Sequence, residues 1–385
     1  MLTIYDSRFT PPMTQKIPTL NELGWTPELA EAFKAFSSEN FIPARIVAEH
    51  RSAYDVICAN GAYLAEVSGV FRRAAKKSKA QFPAVGDWVA LSFNPGGQRQ
   101  TIQGLLPRKA VLSRLDPGGK EEQVLAANID IVFIVQGLDD DYNLKRLERY
   151  LTAARAGGAT AVIILNKSDL VPDAESKAAE VRGRSLDAPV LLLDSINRTG
   201  YEALDAYITA GRTIVLVGSS GAGKSTIINN LMGSDLQRIA SVREDDSKGR
   251  HTTTGRKLFV LPASGLPRHE SWGGALLIDT PGMRGLELWA EADIVDETFE
   301  AIHALAAECR FGNCSHSNEP GCAVRAALEA GTLDGAHYDN YLKLRAETAF
   351  LKSKMDVAER LKRKDRAKKI SKAIKDVPKR KRGGI

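Results

Sequence analysis

The stretch GSSGAGKST, from Gly218 to Thr226, constrains the fold of this chain more than any other feature of its sequence. It matches the pattern G-x-x-x-x-G-K-[ST] in the required context, after the apolar run RTIVLV and at the start of the helical pattern KSTIINNLM. In such a loop successive backbone N–H groups turn toward phosphate oxygens, and the lysine reaches the β and γ phosphates. The alternative, a glycine-rich turn without a ligand, would not require the lysine. The sequence therefore predicts a P-loop in an α/β domain, with phosphate-binding residues Gly218, Ser219, Ser220, Gly221, Ala222, Gly223, Lys224, Ser225 and Thr226.

A magnesium ion is expected beside this loop. The Ser225 hydroxyl is one predicted ligand. The run ALLIDTPG supplies another, because Asp279 ends an apolar strand, where its carboxylate can hold the water shell of Mg²⁺. The N–H of Gly282 is then predicted to contact the γ phosphate. Alone, D-T-P-G is an ordinary turn, but downstream of a P-loop it indicates a nucleotide site.

The run ILNKSDL indicates which base is bound, since it places Asn166, Lys167, Ser168 and Asp169 directly after an apolar strand. Guanine presents two donors, N1–H and N2–H₂, which the Asp169 carboxylate can accept together, whereas adenine lacks this pair. A site built for such donors can reject the other base by about 10⁴-fold. The motif therefore predicts GTP rather than ATP. Asn166 and the stem of Lys167 are expected to frame the base, with Ser195, after VLLLD, near guanine O6.

The order of these motifs is unusual. The guanine motif ends about fifty residues before the P-loop begins, although an ordinary GTPase has the P-loop first. A domain whose termini lie close together can have them joined and a new break opened in a loop without losing its sheet. The order therefore predicts a circularly permuted domain, in which the segment after Gly282 continues directly into the C-terminal region.

The C-terminal region contains a candidate metal site, Cys309-x4-Cys314-x-His316-x5-Cys322. Three thiolates and one imidazole complete a tetrahedral Zn²⁺ shell with no open position, so a single structural zinc is predicted. A chance cluster, or a redox pair of Cys309 and Cys314, is the alternative. His303 is a possible substitute ligand, although its apolar surroundings favour a helix surface. The remaining cysteine, Cys58, is expected in the core.

Composition and charge narrow the class of protein to which this chain can belong. The 385 residues are 43% hydrophobic and 26% charged, and neither a secretory signal nor an apolar run of membrane-spanning length is apparent. Residues 351–385 contain 15 Lys and Arg against 4 Asp and Glu, a net charge of +11 compared with +6 for the whole chain. The basic character therefore belongs to the tail, where attraction to a polyanion such as RNA is expected, with a merely solvated extension as the alternative.

The pattern along the chain predicts five regions. Residues 1–42 form an N-terminal extension. Residues 43–117 contain five strand-like runs, ARIVAEH, YDVICA, AYLAEVSGVF, GDWVALSF and RQTIQGLL, which favour an OB-fold barrel over a β-sandwich. Residues 118–290 begin with a linker-like run, RLDPGGKEEQVLAAN, and continue as alternating apolar strands and helices, the pattern of a mostly parallel sheet. Residues 291–350 form a mostly helical zinc-binding domain, and residues 351–385 form the basic tail.

A second basic run, Arg72-Arg73 with Lys76, Lys77 and Lys79, falls on a predicted barrel loop and favours RNA contact.

Together these motifs resemble one family, the ribosome small-subunit-dependent, circularly permuted GTPases that act in bacterial 30S assembly. The resemblance rests on PAVGDWV, NKSDL, GSSGAGKST, GRHTTT, DTPGMR and CRFGNCSHSNEPGCAV. It implies a multidomain protein with an OB barrel, a permuted P-loop GTPase domain and a zinc domain. It also implies a cytoplasmic monomer without membrane attachment, which binds the 30S subunit and its 16S rRNA late in maturation. GTP is then hydrolysed to GDP and phosphate, slowly by the free protein and faster on the subunit.

The resemblance makes GRHTTT the switch segment, in which Thr252 or Thr253 completes the Mg²⁺ shell, with Thr253 favoured by spacing. Met283 stands where many GTPases place the glutamine that orients attacking water, and a thioether cannot do so. His251 is the candidate replacement, because an imidazole can hydrogen-bond to water near neutral pH. A surface histidine without a role, catalysis by Arg250, or a group supplied by the ribosome are the alternatives.

Two other functional classes compete with a GTPase. A P-loop kinase or ATPase would share the phosphate loop, but it would leave the guanine motif unexplained. A zinc- and OB-based RNA-binding protein with a vestigial nucleotide site would share the other domains. It would not require the complete set of nucleotide-binding side chains that this chain retains.

Overall fold

The structure is a computed structural model that describes residues 18–39, 41–76, 78–97, 99–116, 118, 121–185, 187–233, 256–262, 272–280, 289–290 and 292–354. The predictions for residues 1–17, Lys77, Arg250, His251, Thr252, Thr253, Gly282, Met283 and the tail beyond residue 354 lie outside these ranges. The chain divides into two units. The first comprises Met1–Leu115 and Glu121–Glu287, and the second comprises Asp116–Lys120 and Leu288–Ile385.

The first unit begins with helix α1 (Pro27–Phe33), followed by a five-stranded barrel. Its strands are β1 (Phe41–Glu49), β2 (Tyr54–Cys58), β3 (Gly61–Val67), β4 (Trp88–Ser92) and β5 (Arg99–Leu105). They are hydrogen-bonded in the order β1-β2-β3-β5-β4, and β4 pairs again with β1, which closes the barrel. Only the β3–β5 pair is parallel. The predicted five-stranded barrel is therefore confirmed, and its interior is filled by alternate strand residues, among them Ile46, Val56 and Leu91, together with the predicted core residue Cys58.

Two local predictions in this region are wrong. The run AYLAEVSGVF is not one strand, because Ser68 caps a helix, α2 (Gly69–Ala75), by accepting a hydrogen bond of 3.1 Å from the Phe71 N–H. The basic residues Arg72 and Arg73 consequently lie on this helix and not on a loop. The run RLDPGGKEEQVLAAN is not a simple linker either. Strands β6 (Val111–Leu115) and β7 (Glu122–Ala127) pair across it as an antiparallel two-stranded sheet.

The rest of the first unit is an α/β sheet, as predicted. Its strands are β8 (Ile131–Gly137), β9 (Thr160–Asn166), β10 (Val190–Leu193), β11 (Thr213–Gly218), β12 (Lys257–Val260) and β13 (Leu276–Asp279). The order is β10-β9-β8-β11-β13-β12, parallel except for β12. Its described helices are α3 (Leu144–Ala156), α4 (Ala174–Ser185) and α5 (Lys224–Met232), with short 3₁₀ turns at Ser168–Leu170 and Tyr201–Leu204. Two further 3₁₀ turns, Lys34–Glu39 and Lys79–Gln81, lie in the barrel region. Because strands β8, β9, β11 and β13 are parallel, their carboxyl ends meet at one edge, where ligands of open α/β sheets bind.

A buried arginine joins the barrel to this sheet. Arg45 of β1 is 1% exposed, and its guanidinium donates to Gly86 O (3.2 Å) and to Thr213 Oγ1 of β11 (2.8 Å). Burial lowers the pKa of Arg45 to about 10. Because its donors are satisfied by carbonyl and hydroxyl oxygens, the buried cation fixes β1 relative to β11. The barrel and the nucleotide-binding sheet therefore form one continuous structure, in which β1 also pairs with β12.

The second unit contains the short helices α6 (Ala292–Thr298), α7 (Glu300–Ala307) and α8 (Ala323–Glu329). Helix α9 runs from residue 335 to residue 354, where the described part of the chain ends. The small core of this second unit includes the buried Phe299, whose ring centroid lies 4.8 Å from that of His337 and 5.5 Å from that of Tyr341. Across the described ranges, no helix has both the length and the apolar character of a membrane span.

Candidate functional site: a nucleotide pocket and a metal cluster

The P-loop has the geometry that its sequence predicts. It connects β11 to α5, and Gly218, Gly221 and Gly223 adopt φ values of +149°, +89° and +97°. Positive φ at the last two is the left-handed region that favours glycine. A Cβ at Gly223 would in addition lie 2.1 Å from Asn166 Nδ2. The sequence therefore needs glycine here both for the turn and for close contact with the guanine motif.

Lys224 points into the loop. Its ammonium donates to Gly218 O at 2.8 Å and to Ser219 O at 2.5 Å. Burial lowers the pKa of Lys224, while the carboxylates of Asp141 and Asp279 act in the opposite direction. Asp279, at the end of β13, therefore lies within electrostatic reach of the P-loop lysine. The Ser225 hydroxyl is exposed in the first turn of α5.

Asn166 joins the guanine motif to the P-loop. Its side chain is fully buried at the end of β9, and its Nδ2 donates to Ala222 O at 2.9 Å. Its Oδ1 accepts from the N–H of Ser195 at 3.1 Å. The Ser195 carbonyl accepts in turn from Asn230 Nδ2 of α5 at 2.7 Å. Three segments far apart in sequence are thus fixed around one amide, and Ser195, which the sequence placed near the base, belongs to this network.

Lys167 and Asp169 follow Asn166 directly after the end of β9. Lys167 has a φ of +63°, and its Nζ is 2.5 Å from Asp139 Oδ2. The hydrogen bond from Lys167 lowers the pKa of Asp139. The turn Ser168–Leu170 then leaves Asp169 exposed, and no described residue bonds to its carboxylate. The carboxylate is therefore available to a ligand.

Sequence reasoning missed two carboxylates of this site, Asp139 and Asp141, which follow β8. Asp139 pairs with Lys167, as described above. Asp141 accepts a hydrogen bond from the Ser219 hydroxyl of the P-loop, and its Oδ1 is 2.7 Å from Arg146 Nη2 of α3. The only available signal was the run DDD at the end of an apolar strand, which matches no nucleotide-binding motif.

The second unit brings together the four predicted metal ligands, Cys309, Cys314, His316 and Cys322, whose ligand atoms all lie within 4.8 Å of one another. His316 Nδ1 is 3.5 Å from Cys309 Sγ and 3.4 Å from Cys322 Sγ, and the two sulfurs are 3.9 Å apart. Ligands at about 2.3 Å (S) and 2.0 Å (N) from a tetrahedral Zn²⁺ are separated by about 3.4–3.8 Å. The donor types of all four residues therefore fit a zinc ion, and the separations among Cys309, His316 and Cys322 are close to those that a tetrahedral ion requires.

Comparison with known proteins agrees with this geometry. Residues 105–289 match the family model described as RsgA GTPase. The "Small ribosomal subunit biogenesis GTPase RsgA" of Opitutus terrae is 46% identical over 362 residues, covering 91% of this chain and 96% of that protein. The protein of the same name from Syntrophotalea carbinolica is 39% identical over 361 residues, covering 91% and 95%.

Two solved structures share the fold. The crystal structure of YjeQ from Thermotoga maritima matches with a TM-score of 0.57 and 24% identity, covering 80% of this chain and 99% of that one. The structure described as YloQ, a circularly permuted GTPase, matches with a TM-score of 0.55 and 23% identity, covering 80% and 96%. The permuted order inferred from the motifs is thus confirmed at the level of the fold. By sequence and by fold, the chain belongs to the RsgA GTPase family.

Proposed function

We propose that this chain binds GTP with Mg²⁺ at the carboxyl edge of its sheet and hydrolyses it to GDP and phosphate while bound to the 30S ribosomal subunit late in maturation. The observation that carries the nucleotide part is the Asn166 network, which holds the guanine motif, the P-loop and Ser195 together. The relatives are small ribosomal subunit biogenesis GTPases, which supports the subunit part. We propose that the protein acts as a monomer in the cytoplasm.

The roles proposed for the site residues follow from their motifs and, for those that the structure describes, are supported by their positions. Asp169 reads the guanine edge, the stem of Lys167 frames the base, and the P-loop from Gly218 to Thr226 binds the phosphates. Ser225, Asp279 and Thr253 hold Mg²⁺, which neutralises charge on the β and γ phosphates. The exposed Ser225 hydroxyl and the Asp279 carboxylate near Lys224 supply oxygen donors of the type that Mg²⁺ prefers. Gly282 is proposed to contact the γ phosphate.

The remaining regions are proposed to bind the subunit. We assign residues 43–117 to an OB-fold that contacts 16S rRNA, 118–290 to the permuted GTPase domain, and 291–350 to a mostly helical zinc-binding domain. The extension 1–42 has no assigned role, and the basic tail 351–385 is proposed to bind the RNA backbone. A vestigial nucleotide site is the weaker reading, because Lys224 and Asn166 keep specific contacts in the loop.

Subunit binding should depend on the nucleotide. In sedimentation with purified subunits, we expect the protein to bind 30S subunits about tenfold more tightly with a non-hydrolysable GTP analogue than with GDP, a typical coupling between two sites. Lys224→Ala serves as the control, because it removes the phosphate contact and should abolish the difference. Equal binding to 30S and 50S subunits, or none to 30S, would contradict the proposal.

His251 is proposed to orient the attacking water once the subunit is bound. His251→Ala should retain GTP and subunit binding but lose about 10²–10⁴-fold of the stimulated rate, the usual contribution of a positioned acid or base. Arg250→Ala is the matched control for a neighbouring charge, since an arginine can stabilise a transferring phosphate. If stimulated turnover survives in the His251 variant and is lost in the Arg250 variant, the role belongs to the arginine. If both survive, the group comes from elsewhere.

A further inference from the structure

The Asp141 carboxylate lies against the P-loop in a rigid setting. It accepts from the Ser219 hydroxyl, and its other oxygen pairs with Arg146 at 2.7 Å. The Asp141 carbonyl accepts from Gln136 Nε2 at 2.5 Å, which fixes the backbone behind it. The side chains of Asp141 and Arg146 are only 21% and 30% exposed, so solvent screens the pair less than a surface ion pair.

Ser219 of the P-loop, which contacts Asp141, also contacts Lys224, the lysine that is proposed to reach the nucleotide. Lys224 donates to Ser219 O, while the Ser219 hydroxyl donates to Asp141. Asp141 is also the largest of the electrostatic influences that favour the charged form of Lys224. Lys224 is therefore hydrogen-bonded to carbonyls of its own loop, within electrostatic reach of a carboxylate that belongs to the protein.

We propose that Asp141 is an internal counter-anion of the P-loop lysine, which competes with the nucleotide phosphates for Lys224, and that Arg146 offsets the charge of Asp141. The proposal rests on the proposed GTP site and names a residue that sets the relative affinity for GTP and GDP. The buried Arg146 Nε has no hydrogen-bond acceptor among the described residues. The ion pair with Asp141 is made by Nη2, so this nitrogen offsets the charge of the carboxylate.

The direction of the expected change in nucleotide affinity follows from the charges of GTP, GDP, Asp141 and Arg146. GTP brings about one more negative charge than GDP, and this charge lies on the phosphate that Lys224 contacts. A fixed carboxylate nearby disfavours GTP more than GDP, whereas Arg146 has the opposite effect. For partly buried charges several ångströms apart, each effect is expected to amount to about three- to tenfold in affinity.

The test measures the dissociation constants of fluorescent GTP and GDP analogues for the full-length protein with Mg²⁺. Asp141→Asn keeps an acceptor for Ser219 but removes the charge, so GTP should bind about three- to tenfold more tightly, and GDP less than twofold more tightly. Arg146→Ala should weaken GTP more than GDP, and this loss should shrink below twofold in the Asp141→Asn background. Asp141→Glu, which keeps the charge, should retain the wild-type ratio.

Asp187→Asn is the matched control. It removes a carboxylate that pairs with Arg155 at the opposite end of α3, and it should change neither affinity. An unchanged ratio in Asp141→Asn, or an equal loss of both nucleotides, would overturn the inference and leave the proposed function intact. Failure of the wild-type protein to bind GTP would instead refute the proposed function itself.

Discussion

Replacing Asp169 with asparagine should turn a GTP site into a site for xanthosine triphosphate. In the proposed site the carboxylate accepts from N1–H and N2–H₂ of guanine, whereas the amide would present one donor and one acceptor, which suit the C2 oxygen and N1–H of xanthine. We expect GTP affinity to fall by about 10²–10⁴-fold, with a matching gain for xanthosine triphosphate. The fold should be unaffected, because Asp169 is exposed and its carboxylate bonds to no described residue.

Competition binding of the two triphosphates to the variant measures this reversal. Asp139→Asn is the control, since it removes the partner of Lys167 without changing the group that reads the base. It should weaken both nucleotides by similar factors and leave the preference for guanine. If Asp169→Asn keeps full preference for GTP, the residue does not read the base and the guanine motif has been misassigned.

Loss of the metal should unfold the second unit. We expect one zinc ion per chain, and we expect Cys314→Ala to abolish its binding. Formation of a structural zinc site contributes about 10–16 kcal/mol in small zinc domains, and this unit has only a small apolar core around Phe299 and Ile302. Helical signal from the C-terminal region should therefore be lost, while nucleotide binding should be largely retained, because the nucleotide residues belong to the first unit.

Metal analysis and circular dichroism test this prediction. Cys58→Ala provides the matched control, because this cysteine is buried in the barrel, where its thiol donates to Gly61 O at 3.5 Å, and it is not part of the cluster. The control should keep one zinc per chain. Protein purified without chelators that contains no zinc would refute the metal assignment.

The parts of the fold that could be predicted from the sequence are those specified by residues close together in the chain. The P-loop requires glycine at fixed positions, and the apolar runs before Gly218 and Asn166 are long enough to specify buried parallel strands. Thiolate and imidazole spacing likewise predicted the four-residue cluster. Each of these signals depends on neighbours in the chain, so it can be read without knowing the tertiary structure.

What sequence reasoning missed depends on contacts between distant segments. Asp141 meets Ser219 across 78 positions because β8 and β11 are adjacent in the sheet. Nothing in the aspartate run itself indicates this contact. The hairpin of β6 and β7 resembles a linker in sequence, because the residues DPGGK between its strands are rich in proline and glycine. Helix α2 was read as strand because apolar residues continue past its Ser68 cap.

We propose that this chain is a guanine-specific, permuted GTPase that is stimulated by the small ribosomal subunit. Phosphate release from GTP and from ATP, with and without purified 30S subunits, tests it most directly. We expect slow release from GTP alone, a large increase when 30S subunits are added, no increase with 50S subunits, and negligible release from ATP. Equal turnover of ATP and GTP, or a rate from GTP that 30S subunits do not change, would contradict the claim.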